Sequence, residues 1–339
     1  MTPPILSMLD LVAVREGGTV AEALQIAVRT AQCAEDLGFA RYWLAEHHNM
    51  PGIASSATAV LVGHIAGATQ TIRVGSGGIM LPNHAPLVVA EAFGTLAELY
   101  PGRIDLGLGR APGTDGHTMR ALRRHSRMES EEDFPRDVQE LQRLLAPAQE
   151  GQPIVAVPGA GTNVPIWLLG SSLFSAQLAA YLGLPYAFAS HFAPRMLHQA
   201  IDLYRNLYRP SAAWPKPHVA IGVPLIAAPT DEEADYLASS TYQRVLGILT
   251  GDRRRLLPPI EGYAARLQPQ ERAAIGDFLA AAVIGGPDTV RAGLARLIEA
   301  TGADELMLVS DVYDPALRLR SLDIAAQAHA SLDQAALAA

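Results

Sequence analysis

A single cysteine, Cys33, in 339 residues rules out a disulfide framework. So little cysteine suits a reducing compartment, and a cytoplasmic protein is expected. Charge is scarce too: Asp, Glu, Lys and Arg make up 18% of the chain, and the formal net charge is −8. Nucleic-acid binding needs a basic surface to neutralise phosphates, so this balance argues against it. Aromatic residues are few, at 6%, yet 49% of the chain is hydrophobic, enough for a large core and too much for a disordered chain. No secretory signal is expected: Met1-Thr2-Pro3-Pro4 has no basic group, and Asp10 interrupts the first apolar stretch. The 20 residues 53–72 carry no charge, but Ala, Gly, Ser and Thr dominate them, and His64 and Gln70 lie inside. That composition reads as a buried helix between loops rather than a membrane span. Nor is there self-similarity at the period of roughly 20–50 residues that marks repeat proteins.

What is present is alternation. The apolar run 5–9 reads as a first strand. Thr19-Val20-Ala21-Glu22 has the capping-box pattern, and Val20, Leu24, Ala27, Ala31, Ala34 and Leu37 then recur at helical spacing up to Gly38. Further strands are expected at 39–45, 72–81, 103–109, 165–169, 184–190, 218–227 and 306–310. Helices are expected at 55–69, 86–100, after Ser171-Ser172, at 194–208, behind a second capping box at Thr230 to Glu233, and behind Asp314-Pro315. Strands alternating with helices of this length call for a parallel sheet, and eight of them close into a (β/α)8 TIM barrel. The excursion 231–303 between the seventh and eighth strands is expected as an insertion within a single domain spanning 1–339.

In such a barrel the chemistry sits at the C-terminal ends of the strands. Strand two ends abruptly in Glu46-His47-His48, three titratable groups at the end of a buried run, before Asn49-Met50-Pro51-Gly52 turns the chain away. Strand three, Val74-Gly75-Ser76-Gly77-Gly78-Ile79-Met80, has glycines within an apolar run, a mark of a bulge or of close approach by a backbone or ligand. Strand four ends in Gly107-Leu108-Gly109-Arg110, small residues followed by a guanidinium suited to phosphate or a polarised ring. Strand five runs through Gly170-Ser171-Ser172 into a helix, offering free N–H groups, two hydroxyls and a favourable dipole as a phosphate cradle. Together these suit a mononucleotide with a planar ring.

At these residues the chain resembles the bacterial-luciferase-like, flavin-dependent monooxygenases. The resemblance covers nearly the whole chain and is densest from Tyr42 to Asp115, with Ala45-Glu46-His47-His48 and the run from Val74 to Pro82 as its specific stretches. It implies a (β/α)8 barrel that uses reduced FMN and O2 on a small organic substrate, aldehyde-like or other, with the flavin supplied by a separate reductase. The catalytic histidine of luciferases falls on His47, and the flavin-contacting positions on Glu46, Gly77, Gly78, Gly109 and Arg110. The phosphate-contacting serine falls on Ser171. Luciferases have a glutamate before that serine, where this chain has Gly170. Their non-proline cis peptide would fall at Gly77-Gly78. A homodimer is also implied. His47 is then the general acid–base, and Glu46 its orienting partner or a contact to the flavin edge. The alternatives are a deazaflavin-dependent dehydrogenase on the same fold, a flavin-binding protein without activity, and a metal-dependent hydrolase.

The bland readings stand beside these. A metal on Glu46, His47 and His48 is not expected, because adjacent side chains leave a strand in opposite directions. His48 reads as a hydrogen-bonding partner of a neighbouring loop, and His84 as either pocket wall or helix cap. Asn83 and His64 read as structural, and Trp43 and Trp167 as core. Arg120, Arg123, Arg124 and Arg127 share one helical face, either a solvated stripe against the acidic residues 129–133 or a rim that steers phosphate inward. Arg253-Arg254-Arg255 reads as an exposed loop, or as a lid over the pocket.

Overall fold

The computed structural model describes residues 4–111, 116–122 and 133–337. Its strands are β1 (Ile5–Asp10), β2 (Arg41–Leu44), β3 (Arg73–Met80), β4 (Ile104–Gly109), β5 (Ile166–Gly170), β6 (Tyr186–Phe188), β7 (Val219–Ala227), β8 (Val283–Gly285) and β9 (Glu305–Val309). Parallel pairing runs β6-β5-β4-β3-β2-β1-β9-β7, and β6 pairs in turn with β7, which closes eight strands into a barrel. Among the helices that flank it are α1 (Val20–Asp36), α2 (Thr58–Ala68), α3 (Pro86–Leu99), α4 (Gly116–Leu122), α5 (Phe134–Leu145), α6 (Leu173–Leu182) and α7 (Leu197–Leu207). The excursion 231–303 supplies α8 (Asp231–Thr250), α9 (Tyr263–Arg266), α10 (Pro269–Phe278) and α11 (Pro287–Thr301), and α12 (Pro315–Leu337) follows the last strand.

Local chemistry sets the boundaries. Thr19 Oγ1 accepts from Glu22 N and Glu22 Oε2 from Thr19 N, so both halves of the first capping box form. At Thr230 only the side-chain half appears, its hydroxyl accepting from Glu233 N at 3.2 Å. Asp314 Oδ1 accepts from the N–H groups of Ala316 and Leu317 at the start of α12. The run 194–208 begins as a 3-10 turn, Pro194–Met196, and becomes α-helical from Leu197. Residues 123–132 lie outside the described residues, and with them Arg123, Arg124, Arg127 and most of the acidic run; Arg120, on α4, donates to His117 Nδ1 at 2.9 Å.

The barrel's last strand is the ninth in sequence, because the excursion carries β8. Strand β7 has nine residues, and its pairing with β9 reaches only Pro224. Leu225, Ile226 and Ala227 would otherwise present an unpaired edge, and Val283, Ile284 and Gly285 pair with them. No pattern in three residues announces such a strand.

At the N-terminal end the barrel is filled by paired charges. Arg41 joins Glu305 (3.0 Å) to Asp105 (2.9 Å), Arg73 binds Asp105 at 2.6 Å, His218 meets Glu305 at 3.1 Å, and the Ser7 hydroxyl donates to Glu305. Burial alone would raise the Glu305 pKa, but His218, Arg41 and Ser7 together hold it below the ordinary carboxylate value. Above this network lie Trp43 and Trp167, both buried, their rings edge-to-face at 5.0 Å, with the Arg41 guanidinium 4.8 Å over Trp167. The lower barrel is therefore packed, and the cavity lined by the strand ends lies toward the C-terminal face.

Candidate active site at the barrel mouth

Beyond β2 the backbone stays pinned to its neighbours. Ala45 N donates to Asp10 O, Thr58 Oγ1 donates to Ala45 O, and His47 N donates to Ser55 O. This rigid exit sends successive side chains in different directions. Glu46, 1% exposed, is held by His48 Nε2 and His84 Nε2, each 2.8 Å from Oε1, and by Met80 N at 3.0 Å from Oε2. Burial pushes the carboxyl pKa up; the bonds from His84, His48 and Met80 outweigh it and leave the group below its ordinary value. Glu46 thus engages His48 and His84 rather than His47. Ligand-type atoms of these three residues lie within 4.8 Å of one another. His47, the third member of the metal set weighed from sequence, is not among them, and both imidazoles are already engaged with the carboxylate.

His47 turns instead into a cavity of about 610 Å³. Its lining contains Gly77, Gly78, Gly109, Arg110, Gly170, Ser171 and Ser172, all expected from sequence at a cofactor. Glu46, His48 and His84 are not among the residues that line it. Burial, with Arg244, His48 and Arg253 adding to it against the opposing charge of Glu46, pushes His47 down to about 4, so the ring is neutral at pH 7. Its Nδ1 is buried without a hydrogen-bond partner.

The glycines have packing reasons as well. The peptide between Gly77 and Gly78 is cis, where the resemblance places it, and the β3–β4 register shifts between Ser76 and Ile79. A Cβ on Gly77 would lie 2.7 Å from Leu9 Cδ1, and one on Gly78 would lie 2.6 Å from Gly107 O. At Gly170 a Cβ would strike Ser175 Oγ, whose hydroxyl donates to Ser172 O at 2.9 Å. The glutamate of luciferases therefore has no room here. Ser172 caps α6 with extended backbone (φ −128°, ψ 159°), and its hydroxyl makes no bond into the helix, which leaves the first N–H groups open. Arg110 reaches this helix start, its guanidinium 4.4 Å over the Phe174 ring.

These features test the fit of a flavin directly. A wall with no side chains beside an apolar cavity accepts a flat ring, and a helix N-terminus with two hydroxyls and a guanidinium accepts a phosphate. Sequence reasoning missed three groups at the same cavity. They are His191, just past β6, Arg244 on α8, and Asp311 past β9, which pairs with Arg244 at 2.5 Å. His191 and Asp311 follow strand ends, a signal available from the sequence; Arg244 has no such signal. Arg253, Arg254 and Arg255 line the mouth and are exposed, and Leu256, next to them, bonds to Val14 and Glu16, so this loop is tied to the segment after β1.

Residues 6–305 match the family model described as luciferase-like monooxygenase. The chain belongs to the luciferase-like monooxygenase family. It is 52% identical over 323 residues to the uncharacterised protein YvbT of Bacillus subtilis, covering 95% of this chain and 96% of that one. It is 48% identical over 319 residues to a luciferase-like monooxygenase of Escherichia coli K12, covering 94% and 95%. The crystal structure of apo-MsnO8 superposes with a TM-score of 0.85 at 37% identity, covering 96% of this chain and 98% of that one. Membership makes the chain an oxygen-using oxidoreductase. The fold also extends to an FMN complex of the oxygenating constituent of 3,6-diketocamphane monooxygenase and to an F420-dependent secondary alcohol dehydrogenase, at 19% and 15% identity. Among the described residues no helix is long and apolar enough to cross a membrane.

Proposed function

We propose that this luciferase-like monooxygenase takes reduced FMN from a separate reductase and, with O2, oxidises a small organic molecule in the 610 Å³ cavity. The observation that carries the reading is the convergence of His47, the Gly77-Gly78 wall and the Arg110–Ser171–Ser172 cradle on that one cavity. Reduced flavin would supply the electrons that activate oxygen, and the protein's part is to hold it, exclude water and manage protons.

Gly77, Gly78 and Gly109 would lie against the ring, and Arg110, Ser171, Ser172 and the backbone of Gly170 would take the phosphate. His47, neutral and unpartnered, would accept a proton from, or return one to, the reacting oxygen of the substrate. Glu46 would act from behind, fixing the exit of β2 through His48, His84 and Met80. The excursion 231–303, read as part of one domain, roofs the cavity with Arg244 and the loop 252–257. A homodimer completes the reading.

The test compares reduced FMN with reduced F420, each mixed anaerobically with the protein and then exposed to ¹⁸O2 and a panel of aldehydes and thioethers. The panel includes an N-acetyl-S-alkylcysteine, because a relative 37% identical over 241 residues is named N-acetyl-S-alkylcysteine monooxygenase. Binding of reduced FMN with ¹⁸O in the product supports the reading. Tight binding of F420 alone, with oxygen-insensitive hydride transfer, would replace it with the dehydrogenase reading that an F420-dependent neighbour illustrates.

A further inference from the structure

We propose that His191 is a second substrate-contacting acid–base residue of this site, paired with His47 at the same cavity. Its role in turnover rests on the monooxygenase reading; the pairing itself does not.

His191 is seated by packing. Ser190 is fully buried and its hydroxyl donates to Gly222 O at 2.7 Å, tying the turn after β6 to β7. Gly222 leaves the space in which the ring lies, since a Cβ there would strike His191 Nδ1. Phe192 meets the imidazole edge-on, with centroids 4.9 Å apart. Yet Nδ1 of His191, like Nδ1 of His47, is buried with no hydrogen-bond partner. An unpaired buried polar atom is costly, and both rings also line the one cavity, so a ligand bound there can meet each of them through its cavity-facing atoms.

Charge supports the pairing. The groups around the two rings come from several elements: Glu46 and His48 beyond β2, Arg244 on α8, Arg253 in the loop after it, and Asp311 beyond β9, which pairs with Arg244. Burial, Arg244 and the neighbouring His47 push His191 down to about 3. Both rings are then neutral at pH 7, each offering one N–H and one lone pair. The ligand chemistry that fits is an uncharged group whose oxygen or nitrogen can both donate and accept. A proton leaving a substrate O–H bonds to the lone pair of one imidazole, and the O–H electron pair stays on oxygen. The other ring, still neutral, donates its N–H to that oxygen. Arg244 disfavours a lasting imidazolium, so the proton is passed on rather than kept.

The experiment uses the cofactor-free full chain and ¹⁵N-histidine NMR, with the proton as probe. Signals are assigned by their loss in His47→Gln and His191→Gln, with His191→Phe as a second variant should one misfold. Both rings are expected to stay neutral at about pH 5, where an ordinary histidine is mostly protonated. His47→Gln is expected to raise the His191 midpoint. A charged His191 at that pH, or a midpoint unmoved by His47→Gln, overturns the pairing. On any substrate that acquires ¹⁸O, the His191 variants should lose kcat by about 100-fold or more, the usual scale for a lost acid–base group, with KM little changed. Unchanged kcat overturns the catalytic role. Wild type that fails to bind reduced FMN would sink the monooxygenase reading and leave the NMR result standing.

Discussion

Replacing His47 by Gln should make the protein more resistant to acid. The ring is pushed from 6.5 to about 4 in the fold. Above pH 6.5 it is neutral in folded and unfolded chains alike and contributes no pH dependence. As the pH falls from 6.5 toward 4 the unfolded chain takes a proton that the folded chain refuses, so stability is lost across that window. A difference of about 2.5 units corresponds to roughly 3 kcal/mol, a factor of about 300 in the unfolding constant. Asp10 and Glu305 are also buried, with carboxyls held below their ordinary values; their contributions are lost at still lower pH and are common to both proteins. The substitution also relieves His191, which adds in the same direction. Urea unfolding of wild type and His47→Gln at pH 7 and at about pH 4.5 gives the double difference. Wild type should lose about 2–3 kcal/mol more than the variant. Equal losses would show that His47 is not buried in the neutral form, and the acid–base role would lose its basis.

Three further outcomes follow from the same geometry. Arg41→Met leaves the buried Glu305 and Asp105 carboxylates without their shared cation and should cost about 3–5 kcal/mol by denaturant titration; a cost below about 1 kcal/mol contradicts the buried-network account. Gly78→Ala drives a Cβ against Gly107 O, a backbone atom that cannot move aside, and should cost about 1–3 kcal/mol and weaken reduced-FMN binding; wild-type stability and affinity together would contradict it. Dialysis against EDTA should leave stability and flavin binding unchanged, because His48 and His84 are engaged with Glu46; one firmly bound metal per chain would show that this triad is a metal centre instead.

The barrel was legible because its signals are local. Alternating strands and helices, the box at Thr19, the cap at Thr230 and Asp314 before Pro315 each act within a few residues; all are realised, though at Thr230 only the side-chain half of the expected box forms. Strand β8 was not legible, because three residues carry no periodicity and pair only where β7 outruns its neighbour. At the site, the open helix start at Gly170-Ser171-Ser172 could be read, since a strand entering a helix exposes N–H groups whatever surrounds it. The partners of Glu46 could not. Two of them, Met80 and His84, come from the neighbouring β3 and the turn beyond it, and only the closed barrel brings them to the carboxylate. His191 offered only its place just past a strand end; its unsatisfied nitrogen is a property of its surroundings.

The central claim, that the cavity holds a flavin with its phosphate at Arg110, Ser171 and Ser172, is tested most directly by anaerobic titration with reduced FMN and with reduced riboflavin, which lacks the phosphate. The account predicts that FMN binds about 10–100-fold more tightly, the scale of one or two charge-assisted hydrogen bonds, and that Arg110→Ala removes most of the difference. Equal affinity for the two flavins, or a preference for FMN that survives Arg110→Ala together with Ser171→Ala, would contradict it.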